Sequence, residues 1–129
     1  MQRSQGEIMT LSEVMKTLDA EVLVENDQLS TIEIKTAFSA DLLSDVLAFA
    51  KPGSLLLTGL TNPQVIRTAD ILDIAAIVFV RGKSPPGETL RLADELDIPI
   101  LSTKYILFET SGRLYSKGIT GCIKKVGGE

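Results

Sequence analysis

Gly82-Lys83-Ser84 stands between an apolar run and a helical pattern, the setting in which a glycine-rich loop cradles phosphate. The match stops there. Such a loop needs a glycine where this chain has Ile77, inside the apolar run, and Pro85 and Pro86 remove two amides that would face a phosphate. The turn reading is preferred. Asp41 and Asp45 are spaced one helical turn apart, as paired carboxylates for acid–base work would be. Neither has a basic or nucleophilic partner in the sequence, and acids early in a helix serve its dipole. The chain has no histidine and one cysteine, Cys122, which removes Cys–His pairs, Ser–His–Asp triads and histidine metal sites. No catalytic residue, metal site or cofactor is assigned, and the chain is read as a non-enzyme.

The remaining chemistry is anion binding. Thr58, Gly59, Thr61 and Asn62 follow one apolar run, Arg81 and Gly82 a second, and Ser102, Thr103 and Lys104 a third. Hydroxyls, glycines and cations beside helix N-termini suit a phosphate or carboxylate. The structural alternative is equally open: Gly59 for a tight turn, Thr61 and Asn62 for capping a helix. Arg67, Arg91 and Arg113 are read as solvent-facing or paired with neighbouring acids.

These positions need strands that end together. Leu55–Leu57 reads as a short buried strand, and Asn62-Pro63 opens a helix, Asn as N-cap and Pro at N1. Ala75–Val80 is the most apolar strand, without alternation, as in a parallel sheet covered on both faces. Ile98–Leu101 is a third strand, with Pro99 marking an edge or a strand start. Three βα units in succession imply right-handed crossovers. The expected fold is a three-layer α/β domain, with a mainly parallel sheet and helices on both faces. Ligands then gather beyond the carboxyl ends of the strands, where the nine candidate residues lie.

Around this centre, Thr10 and Glu13 have capping-box spacing ahead of a helix to about Asp19. Glu21–Glu25 and Thr31–Thr36 read as strands, paired as a hairpin or lying apart. Ser39 is the expected N-cap of a helix burying Leu42, Leu43, Val46, Leu47 and Ala50, closed by Lys51-Pro52-Gly53. A last helix carries Ile106, Leu107, Leu114 and Tyr115, with Gly118 at its C-terminal end. Residues 1–8 are read as a flexible tail, 9–118 as one domain and 119–129 as a loosely ordered tail.

Composition agrees with one globular domain: 129 residues, 44% hydrophobic and 23% charged. The net charge of −4 and the 5% aromatic content argue against a nucleic-acid partner. No apolar run approaches the length of a membrane span, and no apolar segment follows the first seven residues, so neither membrane nor signal peptide is expected. A single cysteine fits a cytoplasmic, reducing location. The bulky run Tyr105, Ile106, Leu107 and Phe108 exceeds what one helix stripe can bury, so a homodimer is expected.

Four segments carry a resemblance to a known family: Asp41-Leu-Leu-Ser-Asp-Val-Leu-Ala-Phe49, Gly53-Ser-Leu-Leu-Leu-Thr-Gly-Leu-Thr-Asn-Pro63, Ile77-Val-Phe-Val-Arg-Gly82 and Ile98-Pro-Ile-Leu-Ser-Thr-Lys-Tyr105. From Ala40 to Gly118 the chain resembles the DRTGG domain family, although the string Asp-Arg-Thr-Gly-Gly itself is absent. The order of elements from Thr10 to Gly118 is also similar to the N-terminal domain of HPr kinase/phosphorylase, whose P-loop belongs to a separate domain. The DRTGG resemblance implies a regulatory module, since such domains accompany CBS or phosphotransacetylase modules. Two function classes stand open. One is a regulatory domain binding a small anionic or phosphorylated ligand, a nucleotide or metabolite, at the strand-end rim. The other is an interaction or homodimerisation module, with a regulatory protein as the further partner and no small-molecule ligand.

Overall fold

The computed structural model describes residues 8–127. Residues 1–7 and 128–129, parts of the two expected tails, lie outside the described residues. The chain runs β1 (Met9–Thr10), α1 (Leu11–Thr17), β2 (Glu21–Val24), β3 (Glu33–Ile34), β4 (Thr36–Ser39), α2 (Leu43–Phe49), β5 (Leu55–Thr58), α3 (Pro63–Ile71), β6 (Ala76–Phe79), α4 (Gly87–Glu95), β7 (Ile100–Ser102), α5 (Leu107–Ser116) and β8 (Thr120–Gly121). Six strands form one sheet in the order β2-β7-β6-β5-β4-β8. Every neighbouring pair is parallel except β2, which runs antiparallel to β7.

Topology follows from the crossovers. From β4 through β5 and β6 to β7 the chain steps along the sheet one strand at a time, so α2, α3 and α4 fall on one face. The link from β7 to β8 steps back past β6, β5 and β4, which puts α5 on the other face beside α1. Strand residues alternate between the two cores as the period of two demands. Leu56, Ile77, Phe79 and Ile100 pack with Val46, Val65, Ile66 and Ala93 of the first helix layer. Leu55, Leu57, Val78 and Leu101 pack with Leu11, Val14 and Leu114 of the second. The expected three-layer α/β architecture, with parallel strands at 55–58, 76–79 and 100–102, is present.

Four helices end alike. Asp19, Asp73, Asp97 and Gly118 follow the C-caps of α1, α3, α4 and α5, all at positive φ. The next amide in each case returns to a carbonyl five residues back, as in Ile74 to Ala69 (2.9 Å) and Ile98 to Ala93 (2.9 Å). Aspartate tolerates the left-handed conformation better than most side chains, and the repeated Leu-Asp at 72–73 and 96–97 is its trace in the sequence.

Three expectations are corrected, and the choice left open for Pro99 is resolved. Ser39 does not cap α2; it ends β4, its hydroxyl lies 2.7 Å from that of Ser111, and the helix starts behind Leu42 without a side-chain cap. The strand expected at 31–36 breaks into β3, which pairs with β1, and β4, which lies beside β5. Asp41 precedes α2, so it does not share a helix face with Asp45. Pro99 marks a strand start, not an edge: β7 lies between β6 and β2, and the Pro99 carbonyl accepts from Ile77 at 3.1 Å. Beyond Gly118 the chain continues in register, Thr120 and Gly121 pairing with Thr36 and Ala37.

Candidate functional site

The turn after β6 bends back at once. Arg81 and Gly82 both have positive φ (65° and 62°), and the Lys83 amide reaches the Val80 carbonyl at 3.4 Å. Two left-handed central residues are the signature of a tight reversing turn, natural for Gly82 and costly for Arg81. The loop after β7 holds it there: the Arg81 amide donates to the Tyr105 carbonyl and the Gly82 amide to the Thr103 carbonyl, both at 2.9 Å. Amides 81, 82 and 83 are therefore all consumed inside the protein, whereas a phosphate-cradling loop turns its amides outward.

The loop after β7 is fixed in turn by Thr103. Its buried hydroxyl donates to the Leu18 carbonyl at 2.7 Å and accepts the Tyr105 amide at 3.3 Å. That bond ties the end of α1 to the carboxyl end of β7, and the antiparallel β2 starts from the same place, Glu21 opposite Ser102. Together with the turn at 82–85 and Leu90 of α4, the three segments line an open cavity of about 680 Å³. Its walls include Leu18, Leu23, Pro85, Leu90 and Tyr105, and its charged residues are Lys83, Lys104, Asp19 and Glu21.

The position has a topological reason. After β6 the chain leaves for the α4 face, and after the adjacent β7 it leaves for the α5 face. A crevice opens where neighbouring parallel strands diverge in this way, and open α/β sheets bind ligands there.

Of the nine rim residues, Gly82, Ser102, Thr103 and Lys104 line this cavity, and Thr58, Gly59, Thr61, Asn62 and Arg81 do not. The second group forms its own arrangement. The Asp41 carboxylate accepts the Gly59 amide at 2.6 Å and the Thr58 hydroxyl at 3.3 Å. Asn62 caps α3 through the Val65 amide, and the Thr61 carbonyl accepts the Thr89 hydroxyl from α4 at 2.7 Å. The Arg81 guanidinium lies against Gly59, where any side chain would overlap it. Asp19, Glu21 and Leu23 carry no site signal in the sequence, because the Thr103–Leu18 bond and the β2–β7 pairing bring them to the rim. Lys83 and Ser84, expected in a turn and not in a P-loop, line the cavity as ordinary turn side chains.

The model of the DRTGG domain family matches residues 13–116. The chain belongs to the DRTGG domain family. This DRTGG domain is 29% identical over 120 residues to the uncharacterized protein YtoI of Bacillus subtilis, covering 92% of the chain and 27% of that relative. It is also similar to a crystal structure of the CBS and DRTGG domains from the regulatory region of Clostridium perfringens pyrophosphatase, complexed with the activator diadenosine tetraphosphate. There the TM-score is 0.71 at 19% identity, over 85% of this chain and 47% of that one, a likeness of fold. The chain thus spans about a quarter of the one and half of the other. No helix among the described residues is long and apolar enough to cross a membrane.

Proposed function

We propose that this DRTGG domain is a regulatory, non-catalytic module that binds a small phosphorylated ligand of the nucleotide class in the cavity between the ends of β6 and β7. One observation carries the reading: a cavity of about 680 Å³ at the divergence of two adjacent parallel strands, with Lys83 and Lys104 in its lining. The lysines would take the phosphates. Asp19 and Glu21 would accept from ribose hydroxyls or an exocyclic amine, and Leu18, Leu23, Pro85 and Tyr105 supply apolar wall for a base. Mixed charge of this kind fits a nucleotide better than a bare anion. The pyrophosphatase region of like fold, which is regulatory and was solved with a nucleotide activator, supports the same ligand class. Binding without turnover is supported by the inward amides of residues 81–83, which form no phosphate-cradling loop. The lone Cys122 suits a reducing cytoplasm, where such metabolites are sensed.

The test is a thermal-shift screen of mononucleotides, dinucleoside polyphosphates, cyclic dinucleotides and acyl phosphates at millimolar concentration. A ligand at 100 times its dissociation constant stabilises by roughly 2.7 kcal/mol, a readily measured rise in Tm. Lys83→Ala and Lys104→Ala should lose the shift, while Arg81→Ala, outside the cavity lining, should keep it. A shift lost with Arg81→Ala but kept by both lysine variants would move the ligand to the Gly59 end of the rim. No shift from any compound would overturn the ligand reading.

A further inference from the structure

The outer face of α5 is apolar at both ends and empty in the middle. Phe108 is 83% exposed and Tyr115 54% exposed, seven positions apart and so on one side of the helix. Between them lies Gly112, exposed, with nothing within 4 Å of where its Cβ would stand. Mid-helix glycine costs about 1 kcal/mol relative to alanine, and no neighbour among the described residues requires it. Glycine at this position leaves room for another backbone to approach.

We propose that this face pairs with the α5 of a second copy, antiparallel, about a two-fold axis passing between Ser111 and Gly112. The face is self-complementary under that operation. Each Phe108 comes opposite the partner's Tyr115, and the two glycines meet at the crossing. Charge agrees as well: Glu109 and Arg113 form one flank of the face, paired within the chain at 3.0 Å and 41% and 49% exposed, the arginine first. Antiparallel pairing sets each Glu109 beside the partner's Arg113, so two like flanks meet with opposite charges in register. On the other flank a groove of about 250 Å³, lined by Phe38, Ser111, Tyr115 and Ile123 among others, offers a seat for the partner's Phe108. The pairing is isologous and closes at two copies.

Sedimentation equilibrium from micromolar to millimolar chain should show a monomer–dimer equilibrium. Phe108→Ser should weaken it about tenfold or more, as loss of a central aromatic anchor does, and Gly112→Arg should abolish it. Glu109→Arg alone should weaken the dimer, and Glu109→Arg with Arg113→Glu should restore it. In a Cys122→Ser background, Gly112→Cys should form an intermolecular disulfide under mild oxidation, because Cα atoms about 4.4–6.8 Å apart permit one. These positions are exposed, so circular dichroism should show the fold kept. A monomer at every concentration overturns the proposal. So does a dimer indifferent to Phe108→Ser and Gly112→Arg, since it uses another surface, including one formed with a protein of a different kind.

Discussion

Asp41 and Gly59 are joined across eighteen positions of sequence by a 2.6 Å bond from backbone amide to carboxylate. The bond closes the end of β5 against the loop that enters α2, and it satisfies an amide on a buried residue. Removing the acceptor leaves that amide without a partner. Asp41→Ala should cost about 1–2 kcal/mol in urea denaturation, and Asp41→Asn less, because its side-chain oxygen can still accept. Equal stability of the alanine variant and the parent would mean the bond contributes nothing.

Gly59 and Arg81 make a second linked pair. A methyl group at position 59 overlaps only the end of a flexible side chain, so Gly59→Ala should be mildly destabilising. In an Arg81→Ala background the same change should cost less. A double-mutant cycle should give a coupling of about 0.5–1 kcal/mol, and a coupling of zero would place the guanidinium elsewhere in solution.

Val78 is fully buried in β6, an interior strand flanked by β7 and β5. Val78→Ala removes two methyl groups from the core shared with Leu55, Leu57 and Leu101 and leaves a partial cavity. The expected loss is about 1–3 kcal/mol by chemical denaturation. No loss would contradict its place in the core.

Asp73 holds φ at 56° beyond the C-cap of α3, and an acid there also opposes the helix dipole. Asp73→Gly should stabilise the domain by about 0.5–1 kcal/mol, read as a higher urea midpoint. Asp73→Val should do the reverse, since a β-branched residue resists positive φ. A stabilised valine variant would refute the strain argument.

What could be read from the residues, and what could not, divides by distance along the chain. β5, β6 and β7 announce themselves as apolar runs closed by glycine, proline and cap residues, and each βα unit is local. β4 does not: Thr36-Ala-Phe-Ser39 is short and half-buried, and its last serine imitates an N-cap. β2 is recognisable as a strand, but nothing near it tells that its partner is β7, eighty residues on. The site was legible to the same degree. Gly82, Ser102, Thr103 and Lys104 end or follow strands whose direction the pattern implies, whereas Glu21 reaches the cavity through that remote pairing and Asp19 through the bond from Thr103 to Leu18. Thr103 illustrates a further gap. Its hydroxyl looked available for an anion and is spent on the Leu18 carbonyl, which no local signal reveals.

The antiparallel strand at the edge has a consequence for motion. One wall of the cavity belongs to β2 and the end of α1, hydrogen-bonded to the sheet through β7 and Thr103. Edge segments are where native proteins open below the global unfolding limit. The cavity is therefore a property of a sub-global unit: when β2 lifts away, the pocket ceases to exist while the four central strands stay paired. An occupant bridging Glu21 and Lys104 would act as a latch on that unit. It would slow amide hydrogen exchange at Val22 and Val24 far more than at Leu56 or Ile77, so ligand occupancy would be written first in the dynamics of one strand.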